Sequence, residues 1–97
     1  MAKLSADQIA EKLKALPGWE YKNNAISKTF KFKEFLQGIE FVQKIAEIAE
    51  AADHHPDITI NYKSITFSCS THDAGGVTEK DIKLAENIEI AFNDRDE

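Results

Sequence analysis

Hydrophobic positions along this chain change their spacing several times, and each change marks a new element. After the pair Ser5 and Gln8, spaced as a capping box, Ile9, Leu13 and Leu16 fall on one helical stripe that Pro17-Gly18 ends. From Trp19 onward the period is two. Trp19 and Tyr21 alternate with charge, Asn23-Asn24 tolerate turn dihedrals, and Ile26 to Phe32 form a return strand. From Lys33 to about Ala52 the period lengthens to that of a helix. It predicts Phe35, Ile39, Val42, Ile45 (or Ala46) and Ala49 on the buried side, with Glu34, Lys44 and Glu47 facing away. Such a helix is about 30 Å long, enough to cross a small sheet.

Pro56 holds His55 in extended dihedrals and closes off any helix before it. A second hairpin follows. Ile58, Ile60 and Tyr62 share one face of its first strand. Ile65, Phe67 and Cys69 share one face of the next, and Thr66, Ser68, Ser70 and His72 share the other. "HDAGG" is a loop, and "TEKD" at Thr78 to Asp81 caps a last helix with Ile82, Ala85, Ile88 (or Glu89) and Phe92 as its stripe. "NDRDE" is expected to be a frayed polar tail.

The order is α-β-β-α-β-β-α. It predicts an α+β fold in which a four-stranded antiparallel sheet carries helices on one face, with residues 1–97 as one domain. The other face of the fourth strand is small and polar, open to water, a ligand or a partner. A four-stranded sheet also has edges that invite pairing, so a homo-oligomer, dimer or tetramer, is expected.

Composition narrows the function. Twelve basic against 17 acidic residues give a net charge of −5, which argues against direct DNA or RNA binding. The single cysteine, Cys69, forms no internal disulfide and fits a reducing, cytoplasmic setting. The first 19 residues hold no unbroken apolar run, so neither a signal peptide nor a membrane span is expected. Their acids also disfavour a transit peptide.

The chemistry centres on "DHHPD", where two of the three histidines stand together. Histidines in the last turn of a helix are stabilised by the carbonyl end of its dipole, which is the plain reading. A metal site needs convergent ligands, but helical neighbours diverge by about 100°. His54 and His55 are therefore unsuited to share an ion, although one of them with His72 and Asp57 stays open. Proton chemistry suits divergence better, because two imidazoles can reach different atoms of one substrate. Glu50, Asp53 and Asp81 are acids that could fix a tautomer. Asp81 also stands where a capping acid would, with a second oxygen free to face a cleft. Cys69 lies on an apolar strand face, as a structural thiol does. Gly75-Gly76 serve a turn needing positive φ or, less specifically, an anion cradle.

The run "EAADHHPDITINYKSITFSCSTHDAGGVTEKD" resembles the signature of the pterin-4a-carbinolamine dehydratase family, carried by Glu50, His54-His55-Pro56, Tyr62, His72 and Asp81. The likeness extends to the leading helix, "GW" and "FKFKEF". The resemblance implies an antiparallel sheet with helices on one face and the removal of water from 4a-hydroxytetrahydropterin to give quinonoid dihydropterin. That reaction serves tetrahydrobiopterin recycling and uses no metal or organic cofactor. It implies His54, His55, His72 and Asp81 as catalytic residues. On this expectation His54 and His72 exchange protons, His55 holds the pterin and Asp81 orients His72. Substrate contacts are expected from Glu50, Asp53, His55, Pro56, Tyr62, Thr71 and Asp73. Ile58 stands where the family often has tryptophan, which removes one flat wall for a pterin. Animal members also act as dimerisation partners of a transcription factor, so a non-enzymatic interaction module is the rival expectation.

Overall fold

A computed structural model describes residues 2–95. It contains α1 (Ala6–Leu13), β1 (Glu20–Lys22), β2 (Ala25–Lys31), α2 (Phe35–Ala52), β3 (Asp57–Asn61), β4 (Ser64–Cys69) and α3 (Glu79–Asp94), with a 3₁₀ turn at His72–Ala74. All strand pairs are antiparallel in the order β1-β2-β4-β3, so the two hairpins meet along β2 and β4. This is the expected α+β architecture.

The pairing register explains why only one sheet face is apolar. Ile26 stands opposite Cys69 and Phe30 opposite Ile65, all buried, while Ser27–Ser68 and Thr29–Thr66 face the other way. Helix residues Ile9, Phe41, Ile45, Ile82, Ala85 and Ile88 complete the core on the apolar side. Lys28 also points to that side. There it donates to the Glu89 carboxylate and the Pro17 carbonyl, and the same carboxylate accepts from the Trp19 indole N–H at 2.9 Å.

Local chemistry accounts for most boundaries. Ser5 and Gln8 form the expected capping box. Asn23 and Asn24 have φ of 55° and 62°, the paired left-handed turn a two-residue hairpin needs. The long helix keeps part of its expected face: Ile45 and Ala49 are buried as expected, and Val42 packs partly buried against the core. Gly38, Phe41, Ile45 and Ala49 are buried, whereas Phe35 is 43% exposed and Ala46 is exposed. Gly38 sets this phase, since a Cβ there would lie 2.7 Å from Ile65 Cδ1 and push α2 off the sheet. The last helix runs through Asp94, so Asn93 and Asp94 are helical rather than frayed. Arg95 follows as the extended C-cap, and Asp96 and Glu97 lie outside the described residues.

Candidate active site

The second hairpin, the end of α2 and the start of α3 meet at one end of the sheet. Helix α2 stops at Ala52, and Asp53 caps it with φ 52° in the left-handed region. The chain then leaves the helix before either histidine, and the backbone N–H of His54 donates to the Ala49 carbonyl at 3.1 Å. The histidines are thus not in the last helical turn, and their divergence comes from the cap and the extended segment before Pro56.

The two rings take separate carboxylates. His54 Nε2 lies 2.6 Å from Asp81 Oδ1, with Asp81 fully buried and the His54 side chain 13% exposed. His55 Nε2 lies 2.5 Å from Glu50 Oε2, with both side chains more than half exposed. A carboxylate accepts, so each Nε2 carries the proton and each Nδ1 is left for chemistry.

Asp81 is fully buried and bonded through both carboxylate oxygens. Its Oδ2 accepts from Thr71 Oγ1 at 2.8 Å and from the Thr78 backbone N–H at 2.9 Å. Thr71 spends its one hydroxyl proton on Asp81, so Thr78 donates to Thr71 across 2.9 Å. Thr78 Oγ1 in turn accepts from the Lys80 N–H. Asp81 is therefore a capping residue and a histidine partner at once, one oxygen for each role. Three donors, His54 Nε2, Thr71 Oγ1 and the Thr78 N–H, converge on this buried carboxylate at the positive end of helix α3.

A cavity of about 410 Å³ is lined by Asp53, His54, His55, Thr71, His72 and Asp73, with Ser70 and Lys80. It gathers most of the residues expected from the sequence. Four differ from expectation. Glu50 reaches the site only through His55 and does not line the cavity. Asp81 bonds His54, not His72, because the 3₁₀ turn leaves His72 exposed while Thr71 faces inward. Tyr62 sits in the β3–β4 turn with φ 55° and is 65% exposed. It packs on Phe35 at the far end of β3, roughly 16 Å along the strand from Asp57. Pro56 sets the backbone but does not line the cavity. Lys80 and Ser70 were not anticipated as lining residues. Nothing in the period marks them, because Lys80 is one residue from the inward Asp81 and Ser70 merely continues the polar face of β4.

Cys69 is buried, and burial pushes its thiol far above the ordinary range, aided by the negative charges of Asp81 and Asp57. It is structural, as expected. Gly75 supplies the left-handed turn with φ 76°, and Gly76 closes a bridge with Thr71. Among the described residues, no group of three or more His, Cys, Asp or Glu side chains is arranged to hold a metal ion. No helix among them is long and apolar enough to cross a membrane.

Known proteins share this pattern. The sequence model of the family described as pterin 4 alpha carbinolamine dehydratase matches residues 2–91. A protein of Mycolicibacterium smegmatis, provisionally named pterin-4-alpha-carbinolamine dehydratase, is 49% identical over 97% of this chain and 100% of its own. One of the same provisional name from Sulfolobus acidocaldarius is 49% identical over 89% of this chain and 94% of its own. The crystal structure of a transcriptional coactivator/pterin dehydratase from Brucella melitensis superposes with a TM-score of 0.88 at 36% identity, covering 92% of this chain and 97% of that one. With fold, histidine cluster and near full-length likeness in agreement, the chain belongs to the pterin-4a-carbinolamine dehydratase family.

Proposed function

We propose that this chain is a pterin-4a-carbinolamine dehydratase, a hydro-lyase that removes water from 4a-hydroxytetrahydropterin to give quinonoid dihydropterin in tetrahydrobiopterin recycling. The observation that carries the reading is the gathering of His54, His55 and His72 around one cavity in a chain of this family.

The reaction needs one proton given and one taken. A base removes the proton from the ring nitrogen beside the 4a carbon, and the nitrogen lone pair forms the new C=N bond. The C–O bond breaks as an acid protonates the hydroxyl, and water leaves. His54, its Nε2 committed to buried Asp81, offers Nδ1 for one of these transfers, and His72 supplies the other. Asp81 fixes the His54 tautomer and balances its charge when protonated. His55, tied to exposed Glu50, holds the pterin, with Asp53, Thr71 and Asp73 as further contacts. Tyr62 has no part in this scheme, being at the other end of the sheet. The step as written uses no metal or organic cofactor.

The rival reading, a non-enzymatic interaction module, gives no physical role to three histidines around one cavity. We place the enzyme in the cytoplasm as one domain that forms a homo-oligomer. A single buried cysteine, which can form no internal disulfide, supports the compartment. Edge strands β1 and β3, with Tyr21 40% and Ile60 45% exposed, support pairing between copies.

A dehydration assay with synthetic 4a-hydroxytetrahydropterin tests the function. The wild-type protein is expected to accelerate water loss, with or without a chelator, and His72→Ala to lose most of that acceleration. A wild-type rate no better than buffer removes the enzyme reading.

A further inference from the structure

On another side of His54 lies a second compartment of about 310 Å³, between the end of α2 and the first half of α3. It shares His54 and Lys80 with the histidine cavity, but Asp53, His55, Thr71 and His72 do not line it. Its size falls at the small end of the range of ligand pockets, roughly 300–1,000 Å³.

The two spaces differ in polarity and in charge. Ala52 and Leu84 give the second one an apolar floor, to which the methylene stems of Lys80 and Lys83 add. In the histidine cavity the acids Asp53 and Asp73 offset Lys80. Here the one acid in the wall, Glu79, pairs with Lys12 of α1 at 3.6 Å. Neither Lys80 nor Lys83 makes an ion pair with another described residue. Asp81, next to Lys80 in the chain, is fully buried with both oxygens bonded, so it shows no free anion to this space. The result is an apolar recess with two spare ammonium groups, on a chain whose net charge is −5.

We propose that this compartment binds a small monocarboxylate with a compact apolar body, and that the bound acid slows the dehydratase through His54. The body lies on Ala52 and Leu84, the carboxylate meets Lys80 and Lys83, and the Asn87 amide is a further donor. A neutral molecule of the same shape keeps the floor and loses the charge complement. A polyanion finds no room to keep its water over an apolar floor. The link to catalysis rests on the dehydratase reading. His54 stands in the wall of both spaces, so an anion here lies beside the ring that moves the proton. A nearby negative charge favours the protonated imidazole, which then returns its proton more slowly.

Benzoate, titrated into isotope-labelled protein without any pterin and followed by amide NMR shifts, tests the site, with benzamide as its neutral isostere. Benzoate is expected to bind with a Kd on the order of 10⁻³ M, and benzamide several-fold more weakly. The shifts should centre on Ala52, Lys83, Leu84 and Asn87. Lys83 is exposed, so Lys83→Gln removes one charge without disturbing the core. It should weaken benzoate roughly 3- to 10-fold and leave benzamide unchanged. Ala52→Leu fills the floor and should weaken both. Equal affinity for acid and amide, shifts centred on Ser70 and Asp73, or benzoate binding unchanged in Lys83→Gln overturns the site. In dehydration kinetics, saturating benzoate should lower kcat roughly 2- to 5-fold with KM little changed. Binding that leaves kcat untouched, or raises KM alone, overturns the link to His54. A protein that binds benzoate as expected but never accelerates dehydration overturns the dehydratase and leaves the binding site standing.

Discussion

Two adjacent histidines, each bonded through Nε2 to a carboxylate, stand in opposite surroundings. His54 and Asp81 are closed off from water, and Asp81 is held by Thr71 and the Thr78 backbone as well. His55 and Glu50 lie open on the surface, with no second side-chain partner among the described residues. Contact distance does not separate them; burial does. A surface pair is screened and contributes about 0–1 kcal/mol, whereas a buried charge left without its partner costs about 3–5 kcal/mol. The first arrangement fixes a ring and a tautomer, and the second leaves a ring free to adapt to what it holds.

The contrast predicts a graded series. Asp81→Asn is expected to have the largest combined effect. It removes the charge that balances a protonated His54, so kcat falls by about 10²- to 10⁴-fold. The broken network lowers stability by about 1–3 kcal/mol, read as a drop in urea midpoint. Thr71→Val comes next. It keeps the shape but takes one donor from Asp81 and should cost about 1–3 kcal/mol in the same titration, with a smaller loss of kcat. Glu50→Gln should change stability by less than about 1 kcal/mol and act chiefly on KM. If Glu50→Gln matched Asp81→Asn in both assays, burial would not be what separates the pairs.

Cys69 gives the smallest signal. Its folded-state thiol is raised by burial and by the Asp81 and Asp57 charges, above the ordinary value of 9.0. A raised pKa in the folded state leaves stability whole below the unfolded thiol's value and erodes it above, because only the unfolded chain releases the proton. Wild type should therefore lose stability relative to Cys69→Ala between about pH 8 and 10, and its native thiol should resist alkylation at neutral pH. Equal alkaline losses in the two proteins would contradict this.

What the chain order reveals of this arrangement is uneven for physical reasons. Element types followed from periodicity, because strands of period two and helices of period 3.6 bury different residues. In α2 the pattern led to Ile45 and Ala49 but not to Gly38 or Phe41; glycine carries no apolar signal, and its place is set by the close approach of Ile65. Tyr62 continues the alternation of Ile58 and Ile60, yet a two-residue turn claims it. The histidines and Asp81 could be named from the motif, but not who bonds whom. The expectation paired Asp81 with His72, nine residues away, whereas Asp81 bonds His54, 27 residues away. Only the 3₁₀ turn after Thr71 decides that the threonine faces in and His72 out.

The central claim is that His54 moves protons while His55 holds the ring. Steady-state dehydration kinetics of His54→Gln and His55→Gln, with kcat and KM resolved separately, test it most directly. His54→Gln should lower kcat by about 10²- to 10⁴-fold. His55→Gln should raise KM several-fold with kcat nearly unchanged. Equal losses of kcat in the two variants, or a normal kcat in His54→Gln, would contradict the division of labour.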